Sequence, residues 1–153
     1  MGRIFFGLVL ALLAAWPVKA GTGRIIKVLP EFLDIQGRTS TSPSLYERDA
    51  YQAMLREHPE RRSGVRFYVQ WKTKGPIWEP VKLRIELRGV AKGNLPQQLV
   101  LEEPLLNSGT RLPRWTSAGL EGLTYRQFGA VTAWRATLWE GKRLLSEQKS
   151  FLW

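Results

Sequence analysis

His58 is the residue whose chemistry stands out first, because it is the one histidine in a chain that contains no cysteine. A zinc or iron–sulfur site of the usual nitrogen and sulfur type is therefore excluded. Imidazole is a general base near neutral pH, so a small secreted hydrolase that uses His58 is one hypothesis. However, no Gly-x-Ser-x-Gly elbow accompanies it, and the last turn of a predicted helix suits a partly positive ring. We favour this structural role and predict no enzyme.

The carboxylates show neither catalytic nor calcium-binding spacing. Glu102 and Glu103 are adjacent on a predicted strand, so their side chains point to opposite faces of the sheet. A glycosidase needs two carboxyl groups that flank one cleft. Asp34, Asp49 and the scattered glutamates lack the spacing of a calcium loop. The sequence therefore predicts no metal site and no cofactor.

The basic residues form the surface pattern that most strongly indicates a binding function. Arg66 and Lys72 lie at outward positions of one predicted strand, and Lys82, Arg84 and Arg88 lie at those of the next. If these two strands pair, the five side chains form one basic face that attracts an anionic partner, with binding weakened by salt. Lipopolysaccharide, teichoic acid and extracellular nucleic acid carry the required charge. The alternative is a solvated face that prevents sheet aggregation.

Several tryptophans are a second group of candidate binding residues. Trp78, Trp115 and Trp139 fall in predicted loops or at strand ends, where an indole ring can stack on a sugar or contact a partner. Trp71 and Trp134 fit the buried side of a strand. A second core layer that covers Trp139 is the alternative explanation for that residue.

Alternation of apolar and polar residues identifies the strands. In residues 65–73 and 81–88 every second residue is apolar, which indicates one buried and one solvated face. The last thirty residues predict a hairpin with Gly141 in its turn and with residues 151–153 inside the sheet. Residues 107–122 predict a loop. The other predicted strands are residues 24–34, 97–102, 123–128, 130–139 and 144–153.

One helix is predicted at residues 44–57. Ser44 and Glu47 have the spacing of a capping box, and His58-Pro59 ends the helical pattern. Apolar residues at helical spacing form one stripe, while charged residues face away. We expect this helix to be a lid packed on a face or an edge of the sheet.

These elements predict a mainly β fold made of two packed antiparallel sheets. The segment Trp-Arg-Ala-Thr-Leu-Trp-Glu-Gly-Lys at residues 134–142, with the two strands in residues 65–88, resembles immunoglobulin- and fibronectin-III-like domains. This resemblance implies an immunoglobulin-like sandwich, with the helix at 44–57 packed on it. The whole chain also resembles small uncharacterised exported bacterial proteins. Neither resemblance assigns a functional residue.

Residues 1–20 have the three parts of a secretory signal peptide. Arg3 supplies the positive charge, residues 4–15 are apolar, and Val18-Lys19-Ala20 fits a cleavage site. The apolar run of twelve residues is shorter than the roughly 20 residues that span a membrane. We expect cleavage after Ala20 and one domain at residues 21–153, in the periplasm or outside the cell.

The remaining domain is basic and has no disulfide. The whole chain carries 23 Lys and Arg against 13 Asp and Glu, a net charge of +10, and loss of Arg3 and Lys19 leaves 21 against 13, or +8. We predict an exported, non-enzymatic interaction or accessory module of the bacterial envelope. Its partner is an unknown protein or an anionic envelope polymer. An assembly factor that captures a strand at a sheet edge is a further alternative.

Overall fold

The fold is taken from a computed structural model that describes residues 20–106 and 112–153. Most of the described residues lie in β-strands. The predicted signal peptide lies outside the described residues, except for Ala20. In chain order the elements are β1 (Thr22–Asp34), α1 (Leu45–Glu57), a 3₁₀ turn (Pro59–Arg61), β2 (Arg62–Lys74), β3 (Val81–Ala91), β4 (Leu95–Leu105), β5 (Arg114–Glu121), α2 (Gly122–Phe128), β6 (Ala130–Glu140) and β7 (Arg143–Lys149).

The strands form two antiparallel sheets that pack face to face. One has three strands in the order β1-β2-β5, and the other has four in the order β4-β3-β6-β7. Every strand pair is antiparallel. The predicted class, a mainly β two-sheet sandwich with a helix at about residues 44–57, is therefore confirmed.

The core lies between the sheets and is built by the predicted alternation. On β2 the residues Val65, Phe67, Val69 and Trp71 are buried, and the intervening residues are not. The same pattern holds on β3. Phe67 meets Trp134 of the opposite sheet edge to face, with ring centroids 6.2 Å apart. Each large apolar side chain buried in this layer contributes about 1.5–3 kcal/mol.

The expected pairing of the strands predicted at residues 65–73 and 81–88 is wrong. β2 pairs with β1 and β5, whereas β3 pairs with β4 and β6. The connection at residues 75–80 carries the chain from one sheet to the other and begins with Gly75 at a φ of 86°. Alternation shows which side of a strand is buried but not which strand lies beside it, because both sheets present the same pattern to the core.

Residues 112–128 also differ from expectation. Residues 107–111 of the predicted loop lie outside the described part, but β5 occupies residues 114–121 of that loop. The predicted strand at 123–128 is helix α2, which begins at Gly122 (φ 62°), precedes Gly129 (φ 80°) and buries Phe128. The inward residues of β5 include only two fully buried apolar side chains, Ala118 and Leu120, so its apolar pattern is weak.

The C-terminal hairpin is confirmed, but the chain does not end inside the sheet. β6 and β7 pair around Gly141, whose φ is 53°. β7 ends at Lys149, and Phe151 is fully exposed. Ser150 still bonds to β6, since its N–H donates to the Trp134 carbonyl and its Oγ accepts from the Trp134 N–H. The chain turns after it, and the Trp153 N–H donates back to the Ser150 carbonyl.

Helix α1 packs against the end of β1 through one buried glutamine. Gln52 is 4% exposed, and its amide donates to the carbonyls of Phe32 and Thr39, while its Oε1 accepts from the Phe32 N–H at 2.8 Å. Ser44 occupies the N-cap, but its side chain makes no capping hydrogen bond, so the predicted capping box does not form. The predicted lid is thus held mainly by its buried face.

The start of β1 is tied to the loop between β2 and β3. The buried Gly21 donates its N–H to the Pro76 carbonyl at 3.0 Å and accepts from the Arg143 guanidinium at 2.8 Å. A Cβ atom at position 21 would lie 2.3 Å from the Pro76 oxygen, so only glycine fits without a shift. Arg143 also pairs with the buried Glu140, which accepts from the backbone N–H of Trp78.

Candidate functional site

The five residues of the predicted basic face lie on opposite sides of the molecule. Arg66 and Lys72 point outward from the three-stranded sheet, whereas Lys82, Arg84 and Arg88 point outward from the four-stranded sheet. Face-to-face sheets are about 10 Å apart, so these groups cannot share a ligand-binding surface. The prediction of one face required β2 and β3 to pair, and they do not.

On the four-stranded sheet the predicted basic residues are interleaved with acids. Lys82 and Arg84 contact Glu102 at 3.0 and 3.7 Å, and Arg84 also contacts Glu86 at 3.2 Å. Arg135 of β6 extends this chain of ion pairs, contacting Glu86 at 2.5 Å and Glu147 of β7 at 3.7 Å. Three cations (Lys82, Arg84 and Arg135) therefore meet three carboxylates (Glu86, Glu102 and Glu147), and we call these six residues the ion-paired network.

Arg88, the third basic residue that the sequence predicted on this side, is covered by the end of the chain. Its guanidinium carbon lies 4.0 Å from the centroid of the Trp153 ring, and that of Arg135 lies 5.0 Å from the same ring. An indole between two guanidinium groups satisfies their charge in part through its π face. Arg88 is thus engaged within the molecule as well.

The outer surface of the three-stranded sheet has a different charge pattern, and we call it the open face. Arg24 of β1 lies directly opposite Lys72 of β2, and Thr22 lies opposite Lys74. In the next row Lys27, Gln70 and Trp115 lie side by side on the three strands. Its outward residues include Arg24, Lys27, Leu29, Tyr68, Gln70, Lys72, Lys74, Trp115 and Ser117.

The cations of the open face have no acidic partner. Within the described part of the chain, Arg24, Lys27, Lys72 and Lys74 form no ion pair within 4.0 Å. A bulge between Ile25 and Lys27 brings Lys27 to the same side as Arg24. The sequence pattern did not reveal this, since plain alternation sends residues three apart to opposite faces.

The acids near the open face lie at its other end, and both are occupied. Glu31 of β1 is buried under helix α1 and contacts Arg48 at 2.6 Å. Glu121 contacts Arg66 at 2.6 Å, a hydrogen bond that raises the pKa of the Arg66 guanidinium. The face therefore runs from unpaired cations at one end to paired charges and a helix at the other.

A cleft of about 280 Å³ lies where the sheet meets helix α1. Its floor includes Tyr68 and Trp115, and the indole of Trp115 is 50% exposed. Its lining residues are Leu29, Glu31, Thr39, Arg48, Tyr68 and Trp115. The prediction that Trp115 is available to a ligand stays a prediction, but the ring is accessible and flanked by cations.

Asp34, at the end of β1, holds helix α1 beside this cleft through hydrogen bonds to the helix and to the segment before it. Its carboxylate accepts from the backbone N–H groups of Gln36 and Arg38, from the Arg38 guanidinium, and from the Tyr51 hydroxyl at 2.7 Å. Burial is the largest single influence on the Asp34 pKa and raises it, but the four hydrogen-bonding groups outweigh it and the pKa is lowered. The same hydrogen bond raises the pKa of Tyr51.

The other candidate tryptophans differ in their surroundings. Trp78 is 74% exposed in the connection between β2 and β3, away from the open face. Trp139 lies opposite Lys82 on the four-stranded sheet, and its ring N–H donates to Thr137 at 2.9 Å. Trp71 is buried, as expected, with its ring N–H bonded to Thr116.

His58 lies at the C-cap of helix α1, where the sequence placed it. Its Nδ1 lies 3.0 Å from Glu60, and both side chains are largely exposed. Apart from Glu60, the described residues offer its ring no hydrogen-bonding partner. The contact with Glu60 helps lower the pKa of that carboxyl, although a backbone hydrogen bond contributes more. No serine or threonine hydroxyl among the described residues hydrogen-bonds to this exposed pair.

A larger groove, about 820 Å³, lies at the end of the sandwich between the 3₁₀ turn, α2 and the β3–β4 turn. Arg62 lines it, but its guanidinium donates to the carbonyls of Leu55 and Arg56 and stacks on Phe32, 4.1 Å from the ring centroid. Arg62 therefore serves to join helix α1 to the sheet. Lys92 and Arg126 are the other cations along this groove.

The sheet edges differ in their exposure to a further strand. β7 faces β1 across one side of the sandwich, where Ser146 accepts from the Ile25 N–H at 3.0 Å and Gln148 donates to the Ile25 and Ile26 carbonyls. β4, the edge strand on the other side, carries Pro96 and Pro104 near its two ends. Proline lacks the N–H that strand addition requires.

The described residues offer neither a cluster of metal ligands nor a helix that could span a membrane. Within residues 20–106 and 112–153, no group of three or more His, Cys, Asp or Glu side chains is placed to hold a metal ion. In the same part of the chain no helix has the length and apolar character needed to cross a membrane. Comparison with protein-family models, curated proteins and solved structures found no match.

Proposed function

We propose that the protein is an exported, non-enzymatic interaction module of the bacterial envelope that binds an anionic partner through the open face. The signal-like residues 1–20 support export, and the excess of basic residues supports an anionic partner. The observation that carries the proposal is the set of four cations on this face that form no ion pair with any described residue (Arg24, Lys27, Lys72 and Lys74).

Like charges opposite each other on neighbouring strands destabilise a sheet. Arg24 and Lys72 are such a pair. A bound anion removes this repulsion, so the two cations contribute more to the complex than to the free domain. The ion-paired network on the other sheet lacks this property, because its cations already contact carboxylates.

The test is retention of the purified protein on immobilised heparin and its affinity for soluble inorganic polyphosphate, measured over a range of salt. We expect retention that falls steeply with salt, since released counterions drive such binding. The double variant Arg24→Glu/Lys72→Glu is expected to elute at much lower salt. Its matched control is Lys92→Glu/Lys142→Glu, which makes the same change in net charge at two exposed turns.

If the salt concentration of elution fell equally in the two double variants, net charge alone would govern binding, and the open face would not be the site. Absence of retention at low salt would remove the anionic partner from the proposal altogether. Circular dichroism of each variant separates loss of binding from loss of folding.

A further inference from the structure

We infer that the ligand of the open face is an acidic polysaccharide, with one sugar ring stacked on Trp115 and the adjoining acidic groups on Lys27, Lys72 and Arg24. This inference rests on the proposed function, because it names the class of anion that the same face binds. Three features of the face carry it: an aromatic floor, a small cleft with mixed polar groups, and a row of cations that leads away from it.

The aromatic floor suits the apolar side of a sugar ring. Trp115 and Tyr68 lie on adjacent strands and both line the cleft. Half of the Trp115 surface is exposed, although a large indole on a sheet is normally covered. The face of an indole is electron-rich and attracts the weakly positive C–H groups of a pyranose.

The cleft has the size and polarity for a single ring. Its volume of about 280 Å³ is below the roughly 300–1,000 Å³ of sites for drug-sized ligands. Glu31 and Arg48 contact each other through one carboxylate oxygen, Oε1, which leaves Oε2 as an acceptor. Sugar hydroxyls can donate to a carboxylate and accept from a guanidinium, so a polyol fits both groups.

The row of cations indicates the direction in which the polysaccharide runs across the open face. Lys72 and Lys74 follow Gln70, the neighbour of Trp115, by two and four residues along β2. At about 3.3 Å per residue they lie roughly 7 and 13 Å along the strand from Gln70. Arg24 and Lys27 on β1 widen this row. Acidic groups on successive sugars beyond the stacked ring would meet these cations in turn.

Nucleic acid is less well suited to the same surface. Proteins that bind single strands stack successive bases on several aromatic side chains along a basic groove. On the open face the exposed aromatic ring is that of Trp115, while Tyr68 is half-buried beside it. Helix α1 and the Glu31–Arg48 ion pair close the face beyond these rings, so the basic row does not continue on that side.

The experiment compares four probes with equal chain length: an oligogalacturonate, a neutral malto-oligosaccharide, inorganic polyphosphate and a thymidine oligonucleotide. Binding is measured by calorimetry for the unaltered protein and for Trp115→Ala, Trp115→Phe and Arg24→Glu/Lys72→Glu. Trp78→Ala is the control, because it removes another exposed indole that does not line the cleft.

We expect Trp115→Ala to weaken oligogalacturonate binding about tenfold, as for loss of one stacked ring, and Trp115→Phe to restore most of the affinity. Polyphosphate binding is expected to be unchanged in Trp115→Ala and lost in the charge-reversed variant. Trp78→Ala is expected to leave every affinity unchanged.

Two results would overturn the inference while the proposed function stands. Oligogalacturonate binding that is lost with the cations but unaffected by Trp115→Ala would mean recognition of charge alone. Tighter binding of the oligonucleotide, weakened by Trp115→Ala, would identify nucleic acid as the ligand. If none of the charged probes binds, the proposed function itself fails.

Discussion

Replacement of Gln52 by leucine tests whether one buried amide holds helix α1 against the sheet. Gln52 is 4% exposed and satisfies three backbone groups, the N–H and carbonyl of Phe32 and the carbonyl of Thr39. Leucine has a similar size but no hydrogen-bonding group. The variant therefore leaves three partly buried backbone groups without a partner.

Each such group costs about 1–3 kcal/mol when its partner is removed. The helix lies at the surface, so water reaches some of these groups, and leucine adds apolar burial. We therefore expect the free energy of unfolding to fall by about 3 kcal/mol, a large part of the roughly 5–15 kcal/mol of an ordinary domain. The corresponding decrease in Tm is roughly 10 °C for a domain of this size.

Urea denaturation followed by circular dichroism measures this change, with an unchanged m-value as the sign that the unfolded state is the same. Arg56→Leu is the matched control, because Arg56 lies four residues further along the same helix and its side chain is exposed. We expect Arg56→Leu to change the free energy of unfolding by no more than about 0.5 kcal/mol. A loss below about 1 kcal/mol in Gln52→Leu would refute the reasoning, since the three hydrogen bonds would then be replaceable by solvent.

Two further predictions concern acid stability and processing. Asp34 and Glu140 both have a lowered pKa in the folded protein, so the stability they contribute is complete above the unfolded pKa of about 4 and decreases as the pH falls through the folded values. Asp34→Asn is expected to be less stable at neutral pH but to lose less on acidification, as measured by Tm between neutral pH and pH ~3; an unchanged pH dependence would contradict the role of Asp34. N-terminal sequencing of the exported protein is expected to begin at Gly21, and a sequence that begins at Met1 would contradict cleavage after Ala20.

The alternation in β2 and β3 was sufficient to predict which residues form the core, because burial of one strand face depends on that strand alone. The neighbours of each strand depend on how the connections run. The six residues between Lys74 and Val81 can join strands of one sheet or of two. Strand β5 was missed because its outward positions include the large apolar Trp115 and its inward positions include Thr116 and Ala118, which weakens the contrast between the two faces.

The candidate site was predicted only in part for the same reason. Lys72 and Trp115 were each identified as candidates, but nothing in their spacing joined them, since β3 and β4 of the other sheet lie between their strands in the chain. The contribution of Arg24 and Lys27 depends on a bulge in β1, and a bulge changes the side of every residue beyond it. Neither feature follows from the local sequence.

Among the described residues, the cations of the ion-paired network contact carboxylates, whereas Arg24, Lys27, Lys72 and Lys74 on the other sheet do not, so the positive charge of the domain is unevenly distributed. In the field of an anionic surface such a body rotates before it makes contact, so the three-stranded sheet arrives first. The four-stranded sheet, with Trp153 against it and Phe151 exposed beside it, then faces away from that surface. A domain adsorbed in this way would present a single, uniform side to whatever molecule approaches next.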